Sequence, residues 1–433
     1  MNQPKVLQTP GPGWLRSPRR LGLILAALGL MAYFLLPAWA APPVSNYDSL
    51  RLYTEALFEV SQKYVWPKNE EDLIYGSLRG MMNSLDPDSS FLTAKEYKDY
   101  LHGPTIPAAE AGVELIVKDS LLTAASVIDG GPAARAGMKP GDHIIKINGQ
   151  MVRNLTTQEA TRRFQGAANT SFKLQVIRNG EVKPLDLTIT LEPLGVSTVT
   201  AVYLDSAVAY LRIRYFNEET PVELATALNN IKQHKPPVKG IILDLRNNAR
   251  GSMAEAVRSA SLFLGNQQVL LAKGRSVKTE QSFTGKDRDQ VFKTLPPLVV
   301  LVDQGTARAA EILAAALRDQ ARATVLGAKT LGLCGLTKAF PLEDGSALVM
   351  TVAQCYSPKG DKIQGKGLEP EVPGIKPQAA KTQEKAAAPE KAPVPEKARA
   401  PVTPPEQDPW VQQAKDLLIS GKPKPTAPKT PAS

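Results

Sequence analysis

The sequence predicts an α/β fold preceded by a helical segment and followed by an unpacked tail. Three observations carry this. Apolar runs at 208–211, 240–245, 298–302 and 347–352 alternate with amphipathic stretches at 220–232, 254–264 and 309–318, as strands joined by helices do. Leu50, Tyr53, Leu57, Val60 and Tyr64 stand at helical spacing within 47–101, which reads as helices throughout. From Lys376 the chain turns to Ala, Pro, Lys and Glu, too poor in apolar side chains to pack. At 433 residues it can hold two or three domains, each with its own core.

Residues 1–41 read as an export signal or an uncleaved anchor. Arg16, Arg19 and Arg20 precede a charge-free, largely apolar run at 21–36, and Ala38-Trp39-Ala40 offers small residues at cleavage spacing. That run is shorter than the roughly 20 residues a membrane span takes. Either reading puts the rest outside the cytoplasm, in a periplasm or cell envelope. Residues 44–103 form the expected helical region. Residues 376–433 form the tail, with a short helix at 408–418.

The net charge of +10 lies mostly outside the folded part. Four Lys/Arg and no acids stand in 1–41, and ten Lys/Arg against six Asp/Glu in 376–433, which leaves about +2 between them. A nucleic-acid binder needs a basic face on a domain, so that class loses its support.

Residues 108–193 resemble a PDZ domain, a β-rich module with two helices. The resemblance rests on Ala111-Gly112-Val113-Glu114-Leu115 as the carboxylate-binding loop, on the turns at 131–137 and 139–142, and on Ile147-Asn148-Gly149. A helix at 157–164 would flank the groove. Such a domain adds a chain terminus to its sheet as an extra strand. Glu110 and Ala111 replace the usual Gly-Ile, and a carboxylate at 110 would repel another.

Residues 198–375 resemble the α/β core, crotonase-like in fold, of the carboxyl-terminal processing peptidases, or tail-specific proteases. The likeness rests on GIILDLRNN at 240–248, GTARAAEI at 305–312, PLEDGSAL at 341–348 and IQGKGLEPE at 363–371. Upstream, LRGMM at 78–82 and SLDPDSS at 84–90 match the family's helical segment, so the resemblance runs from about 47 to 373. It implies serine-type endopeptidases that trim exported proteins at their C-termini, with a Ser-Lys dyad and no cofactor.

The catalytic positions have changed. The family's Gly-Ser-Ala-Ser-Ala-Ser-Glu-Ile puts its nucleophile, the middle serine, at Arg308. Aligned on the segment from Gly327, the lysine base falls on Leu333 and the glutamine that orients it on Thr337. The oxyanion loop Asn-Pro-Gly-Gly is here Asn248-Ala249-Arg250-Gly251. Arg308 cannot attack a carbonyl and Leu333 cannot accept a proton, so a degenerate site is expected. Thr306, Lys329 and Lys338 are ordinary loop and strand positions too far along the chain to substitute. His102, His143 and His234 show no metal or triad spacing, and no metal is expected.

Arg308 and Arg250 have two readings. They form an anion site for a peptide carboxylate, or Arg308 pairs with Glu311 or Asp303 and plugs the cleft. Cys334 and Cys355 also have two. A two-residue hairpin turn at Asp344-Gly345, carried outward in register, sets them opposite each other as a non-hydrogen-bonded pair about 4.5 Å apart, compatible with a disulfide. The alternative is two buried thiols on a strand that frays at Pro341.

The expectation is an exported pseudopeptidase that binds protein C-termini, unfolded polypeptides or an active family member through its PDZ domain. The rival is an active serine endopeptidase. A third reading, a structural protein tethered by its tail, rests on composition alone.

Overall fold

The computed structural model describes residues 46–102, 108–375 and 404–420, apart from 119–120, 153–154, 156, 196, 206–207, 276–279, 293 and 295. The expected signal or anchor, and residues 376–403 and 421–433 of the tail, lie outside them. Among the described residues no helix is long and apolar enough to cross a membrane.

The chain divides into two compact units, Met1–Ile74 and Tyr75–Ser433. The described part of the first holds α1 (Asn46–Lys63) and the start of α2 (Glu70–Asn83), which runs across the division. The helical spacing read from the sequence belongs to α1, whose Leu50, Tyr53 and Val60 are exposed.

In the second unit, Ser90–Leu92 is a strand, β1, not helix, and it pairs antiparallel with the strand Ala347–Tyr356. Three residues carry no readable period. Burial of Phe91 and Leu92 decides their conformation. Thr93 then starts α3 (Ala94–Leu101) with a capping box to Glu96.

The PDZ domain follows: β2 (Ala109–Glu110), β3 (Val113–Lys118), β4 (Leu121–Val127), α4 (Pro132–Arg135), β5 (His143–Ile147), β6 (Gln150–Met151), α5 (Thr157–Arg163), β7 (Gln165–Gly166), β8 (Ser171–Ile177) and β9 (Leu185–Thr190). Its main sheet runs β3-β4-β5-β8-β9. Phe172, Leu174 and Val176 alternate inward along β8 and pack with Leu115, Ile144 and Phe164, the period of two of a half-buried strand.

The larger core builds on β10 (Val199–Leu204), β11 (Val208–Ile213), α6 (Thr220–Gln233), β12 (Gly240–Asp244), α7 (Met253–Leu264), β13 (Gln268–Gly274), β14 (Gln281–Thr284), β15 (Leu298–Val302), α8 (Ala309–Asp319), β16 (Thr324–Gly327), β17 (Gly335–Pro341), β18 (Ala347–Tyr356) and β19 (Val372–Pro373). One sheet runs β10-β11-β12-β15-β16-β19, parallel from β11 onward. A second joins β1, β18, β13 and β14, with β17 also on β18.

The parallel strands read as unbroken apolar runs because both faces are covered. Ile241, Leu243, Val300 and Val302 face the side packed by α6, α7 and α8. Ile242, Val299, Leu301 and Leu326 face the other side. There the C-terminal helix α9 (Pro409–Ser420) buries Val411, Ala414 and Leu418 on them. The short helix expected in an unpacked tail is therefore part of the fold, and it completes a core begun some two hundred residues earlier.

The hairpin before the closing motif corrects the expected turn. Leu342 N–H donates to Ser346 O at 2.8 Å, so Glu343-Asp344-Gly345 is a three-residue loop, with Gly345 at φ 82°. Pro341 consequently faces Ala347. A bulge between Leu336 and Thr337 then absorbs the extra residue, and Gly335 faces Gln354. Cys334 comes opposite Cys355 after all, joined to it by a disulfide with Cα atoms 5.5 Å apart. Cys355 N–H donates to Cys334 O at 3.0 Å, so the pair has hydrogen-bonded spacing and not the closer spacing expected.

Candidate active site

β15 ends at Val302, and residues 303–308 turn sharply into α8. Asp303 fixes the turn by accepting from Asn247 N–H at 2.7 Å and Gly305 N–H at 3.0 Å and by donating its own N–H to Thr306 Oγ1 at 3.0 Å. Its burial raises its pKa. Arg308 caps α8 at φ 51°, ψ −119°, a backbone conformation that residues with a Cβ rarely adopt. Such an elbow thrusts its side chain into the space before the helix N-terminus, and strain of this kind concentrates at active sites. An elbow of this geometry would suit a nucleophile, and the side chain it presents here is an arginine.

Neither expected partner of Arg308 holds it. Its Nη1 donates to Glu114 Oε1 at 2.6 Å and to Ala249 O at 3.1 Å, and its Nη2 to Asp88 Oδ1 at 2.8 Å. Glu311, wholly buried, instead accepts from Thr330 Oγ1, Gly332 N–H at 2.7 Å and Leu333 N–H at 3.0 Å, and so shapes the loop that carries Leu333. Burial raises its pKa to about 7 against those hydrogen bonds. Arg308 reads differently from what the sequence suggested because its carboxylates come from the PDZ domain and from the loop before β1.

Arg250 behaves alike. It grips Glu110 with two bonds, at 3.0 and 2.8 Å, reaches Glu114 at 3.5 Å and lies 5.5 Å from the Tyr215 ring centre. The expected repulsion by Glu110 is answered by this cation. Burial disfavours the charge on both arginines, but the facing carboxylates hold both protonated. Next to Arg250, Gly251 sits at φ 128°, and a Cβ there would come within 2.3 Å of Phe216 Cβ. This loop glycine survives because nothing larger fits.

Leu333, where the sequence alignment expects the base, is buried with Ile116 and Ala125 of the PDZ sheet and Ala249 and Ala307 of the core. Thr337 is exposed on β17 at the bulge, facing Thr351, so the structure does not bring it into this cluster. Of the carboxylate-loop residues, Ala111 is fully buried and its N–H donates to Phe164 O at 2.9 Å. Gly112 takes φ 74°, Val113 and Leu115 enter the PDZ core, and Glu114 turns to the two arginines.

The other candidates are committed elsewhere. Thr306 Oγ1 donates to Leu245 O at 2.9 Å, Lys329 pairs with Glu369, Lys338 lies over Phe340, and Cys334 is in the disulfide. His102, His143 and His234 bond to Lys98 O, Thr123 Oγ1 and Pro236 O. Among the described residues no group of three metal-ligating side chains forms.

Sequence reading missed Asp88, Asn247 and Asp129. Asn247, at φ 52°, uses its side chain like a strand residue. Its Oδ1 accepts from Val127 N–H at 2.7 Å, while Nδ2 donates to Val127 O and, at 3.0 Å, to Asp129. Asp88 stands in the SLDPDSS motif, which was noted without a role. Asn247 stands in GIILDLRNN, likewise without a role of its own in the sequence, and Asp129 carries no local signal. The PDZ domain is therefore seated on the core beside the elbow at Arg308 by two arginine clamps, an apolar patch around Leu333 and the Asn247 amide.

Comparison with known proteins places these features. Residues 207–373 match the family described as peptidase family S41, and 123–178 match the PDZ domain family. The chain is 33% identical over 330 residues to a carboxy-terminal-processing protease of Bartonella bacilliformis, covering 76% of this chain and 75% of that one. It is 33% identical over 341 residues to the carboxy-terminal processing protease CtpA of Bacillus subtilis, covering 78% and 71%. Among solved structures, the photosystem II D1 C-terminal processing protease superposes with a TM-score of 0.62 at 25% identity, over 75% of this chain and 92% of that one.

Proposed function

Because the chain belongs to peptidase family S41, with the PDZ domain of the carboxy-terminal processing proteases, we propose that it is a member that binds polypeptide without cutting it. The side chain at the elbow carries this reading. Arg308 offers no nucleophilic atom, and its guanidinium is spent on Asp88, Glu114 and Ala249. Leu333 offers no base and sits among apolar side chains, where a working dyad needs a neutral lysine beside the serine. Thr306, Lys329 and Cys334 are bonded elsewhere, and Lys338 lies over the Phe340 ring.

Its partners are protein C-termini, unfolded polypeptides or an active S41 relative, met through the PDZ domain. Its place is outside the cytoplasm, as residues 1–41 suggest. Catalytic residues, in this reading, have been exchanged for residues that hold the PDZ domain.

The test incubates the chain from Ala41 onward, beside its Arg308→Ala variant, with an unfolded protein and C-terminally tagged peptides. Cleavage is followed by mass spectrometry and binding by anisotropy. Binding without cleavage by either protein is the expected result. Cleavage by the parent above a mock purification overturns the proposal.

A further inference from the structure

The charges that seat the PDZ domain continue beyond it. Asp129, just after β4, pairs with Arg212 of β11, and Arg212 pairs with Asp244 at the end of β12. Asp244 accepts from Arg246 Nη2 at 2.6 Å, and Arg246 Nη1 reaches Asp408 at 2.8 Å. The signs alternate through five residues, from the PDZ loop to the residue that starts α9.

Asp244 makes this chain mechanically coupled. It is fully buried. Its Oδ1 serves Arg212 and Arg246, and its Oδ2 serves Arg246 and, at 2.8 Å, the Tyr210 hydroxyl. Burial opposes its charge, but the two arginines hold its pKa well below the usual range. A carboxylate so shared cannot move toward one arginine without loosening the other. Little water reaches the pair, so screening is weak.

The far end is equally built. Asp408 Oδ1 caps α9 by accepting from Trp410 N–H at 2.9 Å and Val411 N–H at 3.3 Å, while Oδ2 holds Arg246. Trp410 lies against Gly374 and Gly327, where a Cβ would come within 2.4 and 3.0 Å of its ring, and Leu418 fills the space over Gly240. Trp410 Nε1 donates to Ile375 O at 2.7 Å, and Gln413 Oε1 accepts from Ile375 N–H at 3.0 Å. A cavity of about 670 Å³ lies along the chain, with Asp129 and Gly130 on one wall and Pro405 and Asp408 on another.

We propose that α9 is a C-terminal strap whose docking sets how firmly the PDZ domain is held on the cleft, through Asp408, Arg246, Asp244, Arg212 and Asp129. Releasing the strap leaves Arg246 short of a partner and draws Asp244 toward it, so Arg212 loses the buried carboxylate that fixes its position and its pair with Asp129 becomes less ordered. The arginine clamps and the Leu333 patch act independently, so the effect is partial.

Amide hydrogen exchange on the full chain tests this. Asp408→Asn keeps the capping oxygen and removes only the charge. Exchange at Val127, whose N–H donates to Asn247, should quicken about three- to tenfold, while β8 amides inside the PDZ domain keep their rates. Leu418→Asp, which unseats the strap without touching the charge chain, should act in the same direction. In an Asp129→Asn background the effect of Asp408→Asn at Val127 should vanish. Unchanged Val127 exchange in both Asp408→Asn and Leu418→Asp overturns the proposal, as does an effect of Asp408→Asn that persists in the Asp129→Asn background.

Discussion

Arg308 Nη1 lies 2.6 Å from Glu114 Oε1, a bond that joins residues 194 apart in sequence and ties the elbow before α8 to the PDZ domain. A cation at a helix N-terminus is unfavourable by itself. Here two carboxylates, from Glu114 and Asp88, reverse that cost. The side chain at the elbow thus acts as a fastener between the two domains.

Arg308→Ala should destabilise the protein by about 3 kcal/mol, because it strands the largely buried Asp88 charge and leaves Glu114 only its 3.5 Å contact with Arg250. The guanidinium is a quarter exposed, which keeps the figure at the low end. Urea unfolding measures it, and a loss below about 0.5 kcal/mol would show that the clamp holds nothing.

Replacing both Cys334 and Cys355 by serine should cost about 2–3 kcal/mol, since the bridge closes a loop of 21 residues. The parent should lose similar stability in reductant. Two free thiols, found by mass spectrometry in protein from its native compartment, would refute the bridge.

Glu311 gives the protein a pH dependence of definite sign. Its pKa is about 7 when folded and 4.5 as an ordinary side chain. Between those values the folded state keeps a proton that the unfolded chain has lost, so stability falls as pH rises through the window, by at most about 3 kcal/mol. Urea midpoints from pH 4.5 to 8 should show that decline in the parent and lack it in Glu311→Gln. Identical slopes in the two proteins would exclude Glu311 as its source.

Gly251→Ala should be among the most damaging single changes, at about 3 kcal/mol or more. The new methyl would meet Phe216 and Ala309 from a backbone at φ 128°. Normal expression with an unchanged thermal midpoint would mean that the loop between β12 and α7 relaxes freely.

Much of the fold was legible because its signals are local. The strand expected at 298–302 is Leu298–Val302, and the helices expected at 220–232, 254–264 and 309–318 end within one residue of those observed. β1 was not legible, since three residues carry no period and Phe91 and Leu92 are strand only by pairing with β18. The cysteine pairing was reached through two offsetting departures, a turn one residue longer than assumed and a bulge at Leu336 and Thr337 that restored the register. A sequence shows neither a bulge nor its position.

What the sequence alone determined is the set of groups available for chemistry: a guanidinium at 308, an alkyl side chain at 333, and a scaffold of glycines and apolar runs around them. Side-chain identity is local, so reading it suffices to say what these positions cannot do. Only the tertiary structure decided what they do instead. Arg308 had Glu311 and Asp303 as neighbours in sequence, yet Glu311 turns to the loop amides before Leu333 and Asp303 to its own turn, leaving the guanidinium to Asp88 and Glu114. Charge pairing depends on distance in space, and in this chain that distance is set by the seating of one domain on another and by the helix that closes the far face of the sheet.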